Sequence, residues 1–244
     1  VRGLRTPFFV EKTLSLEPDQ ALLSIEESVT NEAGVPLHLM WGQHIAFSRE
    51  FLRQGAVIDA PAKEFTVHDE MPGGPPRRFS PGETSAWPSV TTPDGKLVDA
   101  SIIPPFGSEE AQEMAYLSEL EDGWYALTNL ERKLGFGVRF DNKLFRYIWY
   151  WQQLNDSAPD FPWWGRYHTT ALEPWTSYPT SGLLEAIDNG SALKLEPGEK
   201  ISTSFKAVVY EGSERVKRIT PQGAVVRSSG QPLDSPCLKE GTDA

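Results

Sequence analysis

The chain has 244 residues, a formal net charge of −11, and 39% hydrophobic residues. So acidic a chain lacks the basic surface that a nucleic-acid backbone demands, which excludes nucleic acid as a partner. The longest apolar runs are too short to span a bilayer, and no signal-peptide pattern opens the chain, so no membrane association is expected. The single cysteine, Cys237, cannot form an internal disulfide. We therefore expect a soluble protein in a reducing, cytoplasmic setting.

Glycine and proline usage points to β structure. Twenty residues of each type imply many turns and short elements, which favours sheets over a helical bundle. A single all-β domain can reach this length. We predict one β-sandwich domain over residues 1–227 and a polar C-terminal tail over 228–244.

Apolar patterns place the expected strands along the chain. They are predicted at residues 8–10, 13–16, 21–29, 35–47, 56–58, 65–67, 124–129, 135–140, 147–153, 166–173, 192–195 and 201–210. A hairpin turn is expected at 17–20. Residues 56–58 and 65–67 are expected to pair with each other, and 192–195 to form a hairpin with 201–210. Helical segments are predicted at 109–120 and 183–187.

The first segment with a candidate functional residue surrounds His44. Gly42 lies two residues before this histidine, and a glycine allows a bend or bulge that can aim the imidazole into a cleft. The alternative is a histidine at the edge of the core whose ring is satisfied by a backbone carbonyl. His38 and His68 lie in less distinctive contexts, and we interpret both as structural or solvated.

A strand rich in aromatic residues follows. Alternation puts one set of side chains on one face and the other set opposite: Tyr147, Trp149, Trp151 and Gln153 against Ile148, Tyr150 and Gln152. So many rings on one strand cannot all fill a core without tight partners. We expect one face to open onto a cleft where rings stack on a ligand.

Glu173 is the strongest catalytic candidate. Pro174 pushes the preceding residue into extended geometry, so Glu173 is expected near a strand end. The rings and hydroxyls of residues 175–178 follow at once, and this mixture suits the C–H faces and hydroxyls of a sugar. The alternative without a function is a strand end at which Glu173 is a surface residue before a proline turn. Alternation places His168 on the opposite face, so a partner must come from elsewhere, and His44 is chemically the best suited.

Three segments, in this order, resemble the aldose 1-epimerase (galactose mutarotase-like) family. Residues 41–47 are similar to its histidine segment, residues 172–175 to its glutamate segment, and residues 195–199, before a strand ending in Tyr210, to its C-terminal pattern. The resemblance covers roughly residues 10–47 and 123–212. It implies a large antiparallel β-supersandwich that holds a monosaccharide or related sugar in an open cleft, with neither a metal nor a nucleotide cofactor.

The resemblance also implies residue roles. Glu173 would act as the general base on the anomeric hydroxyl, and His44 as the general acid on the ring oxygen. Further sugar contacts are expected from a set of aromatic and polar side chains: Trp41, Gln43, Trp149, Trp151, Gln152, Arg166 and Trp175.

Two departures separate the chain from the family pattern. Ile45 replaces the proline that follows the family histidine, and Trp175 replaces a polar residue after Pro174. The family's further histidine and arginine belong to a portion upstream of the region where this sequence begins. The chain is therefore expected to be either the C-terminal part of a longer protein or a shortened member with an incomplete sandwich.

Two other functions stay open at this point. The tryptophans Trp149, Trp151, Trp163, Trp164 and Trp175 would also suit a non-catalytic carbohydrate-binding or sensing domain. A third possibility is a polysaccharide lyase or a glycosidase. A glycosidase would need a second carboxylate opposite Glu173, and the candidates are Asp69, Glu70 and Asp160.

Overall fold

The computed structural model describes residues 1–16, 18–71, 76–155, 159, 161 and 163–229. Asp160, Cys237 and residues 230–244 of the predicted tail lie outside the described residues. Within the described part of the chain, neither helix is long and apolar enough to cross a membrane.

The described residues form strands and two short helices. The strands are β1 Phe8–Leu16, β2 Leu22–Asn31, β3 Leu37–Leu39, β4 Ala46–Phe47, β5 Ala56–Asp59, β6 Glu64–Val67, β7 Thr84–Ala86, β8 Ser89–Thr91, β9 Leu97–Asp99, β10 Ile102–Ile103, β11 Ala111–Ser118, β12 Trp124–Asn129, β13 Leu134–Arg139, β14 Tyr147–Leu154, β15 Thr169–Trp175, β16 Leu193–Leu195, β17 Lys200–Glu211, β18 Val216–Ile219 and β19 Val225–Arg227. The helices are α1 Arg49–Leu52 and α2 Leu183–Asp188. The predicted all-β class is confirmed.

The chain divides into two compact units. The first comprises the described residues of Val1–Leu37, Trp124–Asp141 and Leu195–Ala244, and the second those of His38–Gly123 and Asn142–Lys194. A single domain over 1–227 stays a prediction.

The first unit is built on an antiparallel sheet in which β1, β2, β17, β13 and β12 follow one another. The hairpin predicted around residues 17–20 is confirmed, because Leu16 of β1 pairs with Leu23 of β2. Side chains on one face of this sheet, including Trp124 and Tyr210, form a buried cluster with Ile219 and Val225 of the β18–β19 pair.

The second unit contains the sheet that carries the candidate site. Its strand order is β4-β15-β14-β11-β6-β7, with antiparallel neighbours throughout. One face holds an aromatic and methionine cluster around Met114, Tyr116 and Trp149. On the other face, Phe65 packs edge to face on both Tyr150 and Phe79, and the rings of Phe79 and Tyr150 are tilted against each other. Because both faces of the central strands are buried, their sequences do not simply alternate between apolar and polar residues.

The helix predicted at 109–120 is wrong, and these residues form β11. Glu113, Ala115 and Leu117 point to one buried face, while Met114 and Tyr116 belong to the cluster on the other. The helix was predicted because the glutamates fit the exposed side of an amphipathic helix. Glu113 is instead buried, which is rare for a charged residue unless it is paired.

Two predicted pairings are also wrong. β5 pairs with β10, and β6 pairs with β11 and β7, so residues 56–58 and 65–67 are not partners. β17 pairs with β2 and β13, and β16 is not its hairpin partner. In both cases the true partner is distant in sequence, and strand patterns carry no information about such pairings. The short helix expected at 183–187 is confirmed as α2.

A buried ionic cluster fixes the segment before β7 beneath β11. Glu113 is fully buried and pairs with Arg77, with its Oε2 3.0 Å from Arg77 Nη2. Its Oε1 accepts the backbone N–H groups of Arg78 and Phe79. The Arg78 guanidinium in turn donates to the side-chain oxygen of Gln152 at 2.9 Å. Burial raises the pKa of Glu113, and the hydrogen bonds and charge of these donors oppose that rise and offset part of the cost of burial.

We expect Glu113→Gln to lower the free energy of unfolding by about 3 kcal/mol, because the amide removes the charge that Arg77 faces and turns an NH₂ group towards N–H donors. The measurement is urea unfolding. Glu110→Gln, at an exposed position in the same segment, is the matched control and should change stability by less than about 0.5 kcal/mol. Equal effects of the two substitutions would contradict a stabilising role for the cluster.

Candidate active site

A cleft of about 510 Å³ opens on the aromatic face of the sheet in the second unit. Its size suits a small-molecule ligand. Its lining combines rings with a few polar groups: His44, Ala46, Met114, Trp149, Trp151, Trp163, Tyr167, Thr169, Glu173, Trp175 and Thr180.

The position of His44 follows from the way residues 42–47 lie along β15. Ala46 and Phe47 pair with Ala171 and Thr170. The same antiparallel register continues backwards: Leu172 N–H donates to the carbonyl of Ile45, and Gln43 N–H donates to the carbonyl of Pro174. Gly42 forms a bridge with Trp175. This register sets His44 directly across from Glu173.

The two side chains meet in the cleft. His44 Nε2 lies 3.4 Å from Glu173 Oε1. The His44 side chain is 61% exposed and that of Glu173 4%, so the imidazole faces solvent and the carboxylate lies at the bottom of the cleft. On its other side Glu173 pairs with Trp149 of β14. The carboxylate is therefore framed by an imidazole and an indole from neighbouring strands.

Burial sets the electrostatics of Glu173. It raises the pKa of this carboxyl, because a charged group loses hydration in the cleft. A hydrogen bond from Trp175 Nε1 to Glu173 Oε2, 2.9 Å long, and the charge of His44 act in the opposite direction on this pKa. The net direction is upward, which makes Glu173 a stronger base than an exposed glutamate.

Trp175 is held in place from two sides. Its ring stacks on that of Trp149, with the centroids 4.1 Å apart and the planes at 14°. Its other neighbour is the backbone at Gly42, where an added Cβ would lie 2.2 Å from Trp175 Cδ2. Trp149 is itself anchored by a hydrogen bond from its Nε1 to the carbonyl of Ser177 at 2.9 Å. The indole that donates to Glu173 therefore has little freedom.

The outer wall of the cleft is also aromatic. The Trp151 ring lies 6.2 Å from the His44 ring and 5.2 Å from the Trp163 ring, and Trp163 meets Tyr167 edge to face. Rings at these positions can stack on the C–H face of a ligand while His44 and Glu173 contact its oxygens.

The structure brings five of the residues predicted from the sequence to the cleft: His44, Glu173, Trp149, Trp151 and Trp175. Trp41 and Gln43 do not line it. Trp41 is buried, packs edge to face on Phe145 and exchanges hydrogen bonds with Thr176. Gln43 neighbours His44 in an extended segment, so its side chain projects to the opposite side.

Gln152 and Arg166 are also placed away from the cleft. Gln152 lies on the other face of β14, fully buried, where it accepts a hydrogen bond from Arg78. Arg166 is exposed beside a neighbouring hollow, and its carbonyl accepts a hydrogen bond from Arg49 Nη2. The predicted sugar contacts from these four residues are therefore not supported by their positions.

Several cleft residues escaped the sequence analysis. Met114 was assigned to a helix, yet it pairs with Trp151 across β11 and β14. Thr169 shares the face of Glu173 in β15, so alternation within that strand could have found it. Tyr167 and Thr180 come from loops, and no local pattern marks them.

Among the described residues, no three histidine, cysteine, aspartate or glutamate side chains form a group that could hold a metal ion.

Residues 3–209 match a family described as a domain of unknown function, DUF4432. The chain belongs to this family. A comparison with curated proteins finds no match.

Solved structures show the fold of this DUF4432 chain. A candidate aldose 1-epimerase from Klebsiella pneumoniae is 16% identical, with a TM-score of 0.59 over 86% of this chain and 48% of its own. A galactose mutarotase-like protein from Clostridium acetobutylicum is 14% identical, with a TM-score of 0.54 over 84% and 57%. A TPR-domain containing protein from Parabacteroides distasonis is 13% identical, with a TM-score of 0.58 over 99% and 34%. The galactose mutarotase-like fold expected from the resemblance is confirmed, and the chain spans less than two thirds of each of these proteins.

We expect Glu173→Gln to remove a pH dependence of stability. A carboxyl whose pKa is higher in the folded than in the unfolded protein binds more protons when folded, so stability falls as pH rises from the unfolded towards the folded pKa. The neutral amide keeps the shape of the side chain and should be the more stable protein above that window. Thermal unfolding of both proteins across pH measures this. A parent protein whose stability is no lower than that of the variant on the alkaline side would contradict it.

Proposed function

We propose that this protein interconverts the α and β anomers of a reducing sugar, with Glu173 as general base and His44 as general acid. The observation that supports this most strongly is the 3.4 Å separation of His44 Nε2 and Glu173 Oε1 in an aromatic cleft. The fold shared with mutarotase-like proteins agrees with it.

The close spacing suits this reaction because both reacting oxygens are bonded to the same carbon. The anomeric hydroxyl oxygen and the ring oxygen of a cyclic sugar each bond to C1. A base on the first and an acid on the second must therefore lie close together, on one side of a bound ring. His44 Nε2 and Glu173 Oε1, 3.4 Å apart, are close enough to contact these two oxygens of one bound ring.

The chemistry balances with these two residues alone. Glu173 takes the proton of the anomeric hydroxyl, the C1–O1 bond becomes a carbonyl, and the bond between C1 and the ring oxygen breaks. The ring oxygen receives the proton that His44 carries on Nε2. After rotation about the C1–C2 bond the steps reverse, and closure on the other face of the aldehyde gives the other anomer.

The surroundings of Glu173 favour its role as base. Burial raises the pKa of this carboxyl, and a base is most effective when its pKa approaches the working pH. The Trp175 N–H holds the second carboxylate oxygen, so that Oε1 is left for His44 and the substrate. Trp151 and Trp163 offer ring faces to the C–H groups of a sugar.

We expect Glu173→Gln to lower the rate of anomer exchange by at least about a hundredfold, the typical contribution of a general base. Exchange is measured by NMR magnetisation transfer on a panel of aldoses, with circular dichroism as the check on folding. Glu185→Gln, an exposed substitution in α2, is the matched control. Full activity in the Glu173 variant would overturn the assignment of the base.

Measuring anomer exchange and tryptophan fluorescence on the same two proteins distinguishes catalysis from sugar binding without catalysis. If neither parent nor variant exchanges anomers while a sugar still quenches tryptophan fluorescence, the ring-lined cleft serves a binding domain instead. Trp149, Trp151 and Trp175 are the rings that such quenching would report.

We also expect Trp175→Phe to move the acid limb of the pH–rate profile to higher pH. Activity requires ionised Glu173, so kcat/KM should fall as pH drops through its raised pKa. The Trp175 N–H stabilises the ionised form, and its loss raises this pKa further. An unchanged or lower acid limb in the variant would show that this hydrogen bond does not tune the base.

A further inference from the structure

A second compartment adjoins the cleft and has no part in the chemistry at His44 and Glu173. Its volume is about 530 Å³, and it shares Met114, Trp151 and Thr180 with the cleft. His68, Glu70 and Ser181 line its far side. Each compartment alone is large enough for a small-molecule ligand. A single sugar ring held at Glu173 leaves the second compartment empty.

His68 is fixed in this compartment by its main chain and by its ring. Its N–H donates to the carbonyl of Met114 at 2.9 Å, and its carbonyl accepts Arg77 Nη2 at 3.0 Å. Its Nδ1 lies 3.1 Å from the hydroxyl oxygen of Tyr116. The backbone N–H of Thr180 donates to that same hydroxyl oxygen at 3.0 Å.

We assign His68 the tautomer that gives the Tyr116 hydroxyl proton an acceptor. Burial raises the pKa of Tyr116, so its hydroxyl keeps its proton. The hydroxyl accepts from Thr180 and donates its own proton to His68 Nδ1. Burial also lowers the pKa of His68, which favours the neutral ring. A neutral ring that accepts at Nδ1 carries its proton on Nε2, and this N–H is the donor that His68 offers to the compartment.

The compartment therefore presents one N–H donor, one carboxylate and one hydroxyl, from His68, Glu70 and Ser181, beside the apolar surfaces of Trp151 and Met114. Sugar hydroxyls both donate and accept, and the C–H face of a sugar ring packs on an indole. Among the described residues that line the two compartments there is no lysine or arginine. The hydrogen-bonding groups and apolar surfaces of this compartment suit an uncharged sugar ring.

We propose that the substrate is a neutral disaccharide or longer reducing saccharide, whose reducing-end ring occupies the cleft and whose next ring occupies the second compartment against His68. The inference rests on the proposed function and deepens it, since it names the substrate class of the same site. Tyr116 acts as a positioning residue, because it reaches the sugar through His68.

The test compares maltose, cellobiose and lactose with glucose, because each of these disaccharides has glucose at its reducing end. We expect at least one disaccharide to exceed glucose in kcat/KM for anomer exchange by about tenfold, which corresponds to about 1.4 kcal/mol. His68→Phe removes the N–H donor and should erase this ratio, mainly through KM. His38→Phe changes a histidine that lines neither compartment and is the matched control.

The role of Tyr116 has its own readout. In the parent protein, ¹⁵N NMR of His68 should show an unprotonated Nδ1 and a protonated Nε2. Tyr116→Phe removes the hydroxyl that fixes this tautomer, so the two ¹⁵N shifts should move together and the disaccharide preference should fall. Unchanged ¹⁵N shifts in this variant would contradict the positioning role.

Failure of this inference is distinguishable from failure of the proposed function. Two results would contradict the role of the second compartment and leave the proposed anomer exchange unaffected. One is equal exchange of glucose and all three disaccharides, and the other is a disaccharide preference that persists in His68→Phe. If no sugar is exchanged, a binding experiment tests the second compartment instead. Saturation-transfer NMR on the Glu173→Gln protein should then show contact with the non-reducing ring of a disaccharide, lost in Glu173→Gln/His68→Phe. Absence of that contact overturns the inference.

Discussion

The register between residues 42–47 and β15 is the constraint on which the candidate site depends. Two ladder pairs and two further backbone hydrogen bonds fix it, and it sets His44 opposite Glu173. A shift of residues 42–47 by one residue along β15 would turn His44 to the opposite face of the sheet, away from Glu173, because side chains alternate along a strand. Gly42 belongs to the same register, since the ring of Trp175 occupies the space that a side chain there would need. Backbone pairing and the geometry of the two proton-transferring groups are thus a single feature.

The sheet that carries the site uses its two faces differently. One face buries Glu113 with Arg77 and several backbone donors, so its charge is fully partnered and serves stability. The other face buries Glu173 with an indole N–H and an exposed imidazole beside a cleft. Burial raises the pKa of both carboxyls, so the two glutamates differ in their partners and not in the direction of the pKa shift. A buried carboxylate with few partners costs stability, and such groups are concentrated at functional sites. Glu173 has fewer donors than Glu113 and opens onto a cleft, and this difference in partners and access supports a chemical role for Glu173.

The sequence was informative where chemistry is local. The proline after Glu173, the glycine before His44 and the rings of β14 pointed to the residues that the cleft brings together. It failed where the answer depends on distant partners. Gln152 was predicted to bind sugar, but it accepts a hydrogen bond from Arg78 on the buried face of the sheet. The segment that forms β11 was predicted to be helical because the partners that allow Glu113 to be buried come from another segment. His68 was interpreted as either structural or solvated, since nothing nearby in the sequence indicates its contact with Tyr116. These contacts join residues that are distant in sequence, so the pairing of strands reveals them and the local sequence pattern does not.

The most direct test of the central claim is a crystal structure of the Glu173→Gln protein with a reducing sugar bound. We expect the anomeric hydroxyl within hydrogen-bond distance of the residue 173 side chain, the ring oxygen within hydrogen-bond distance of His44 Nε2, and the sugar ring against Trp151. A sugar bound in the cleft with C1 turned away from both side chains would contradict the assignment of base and acid.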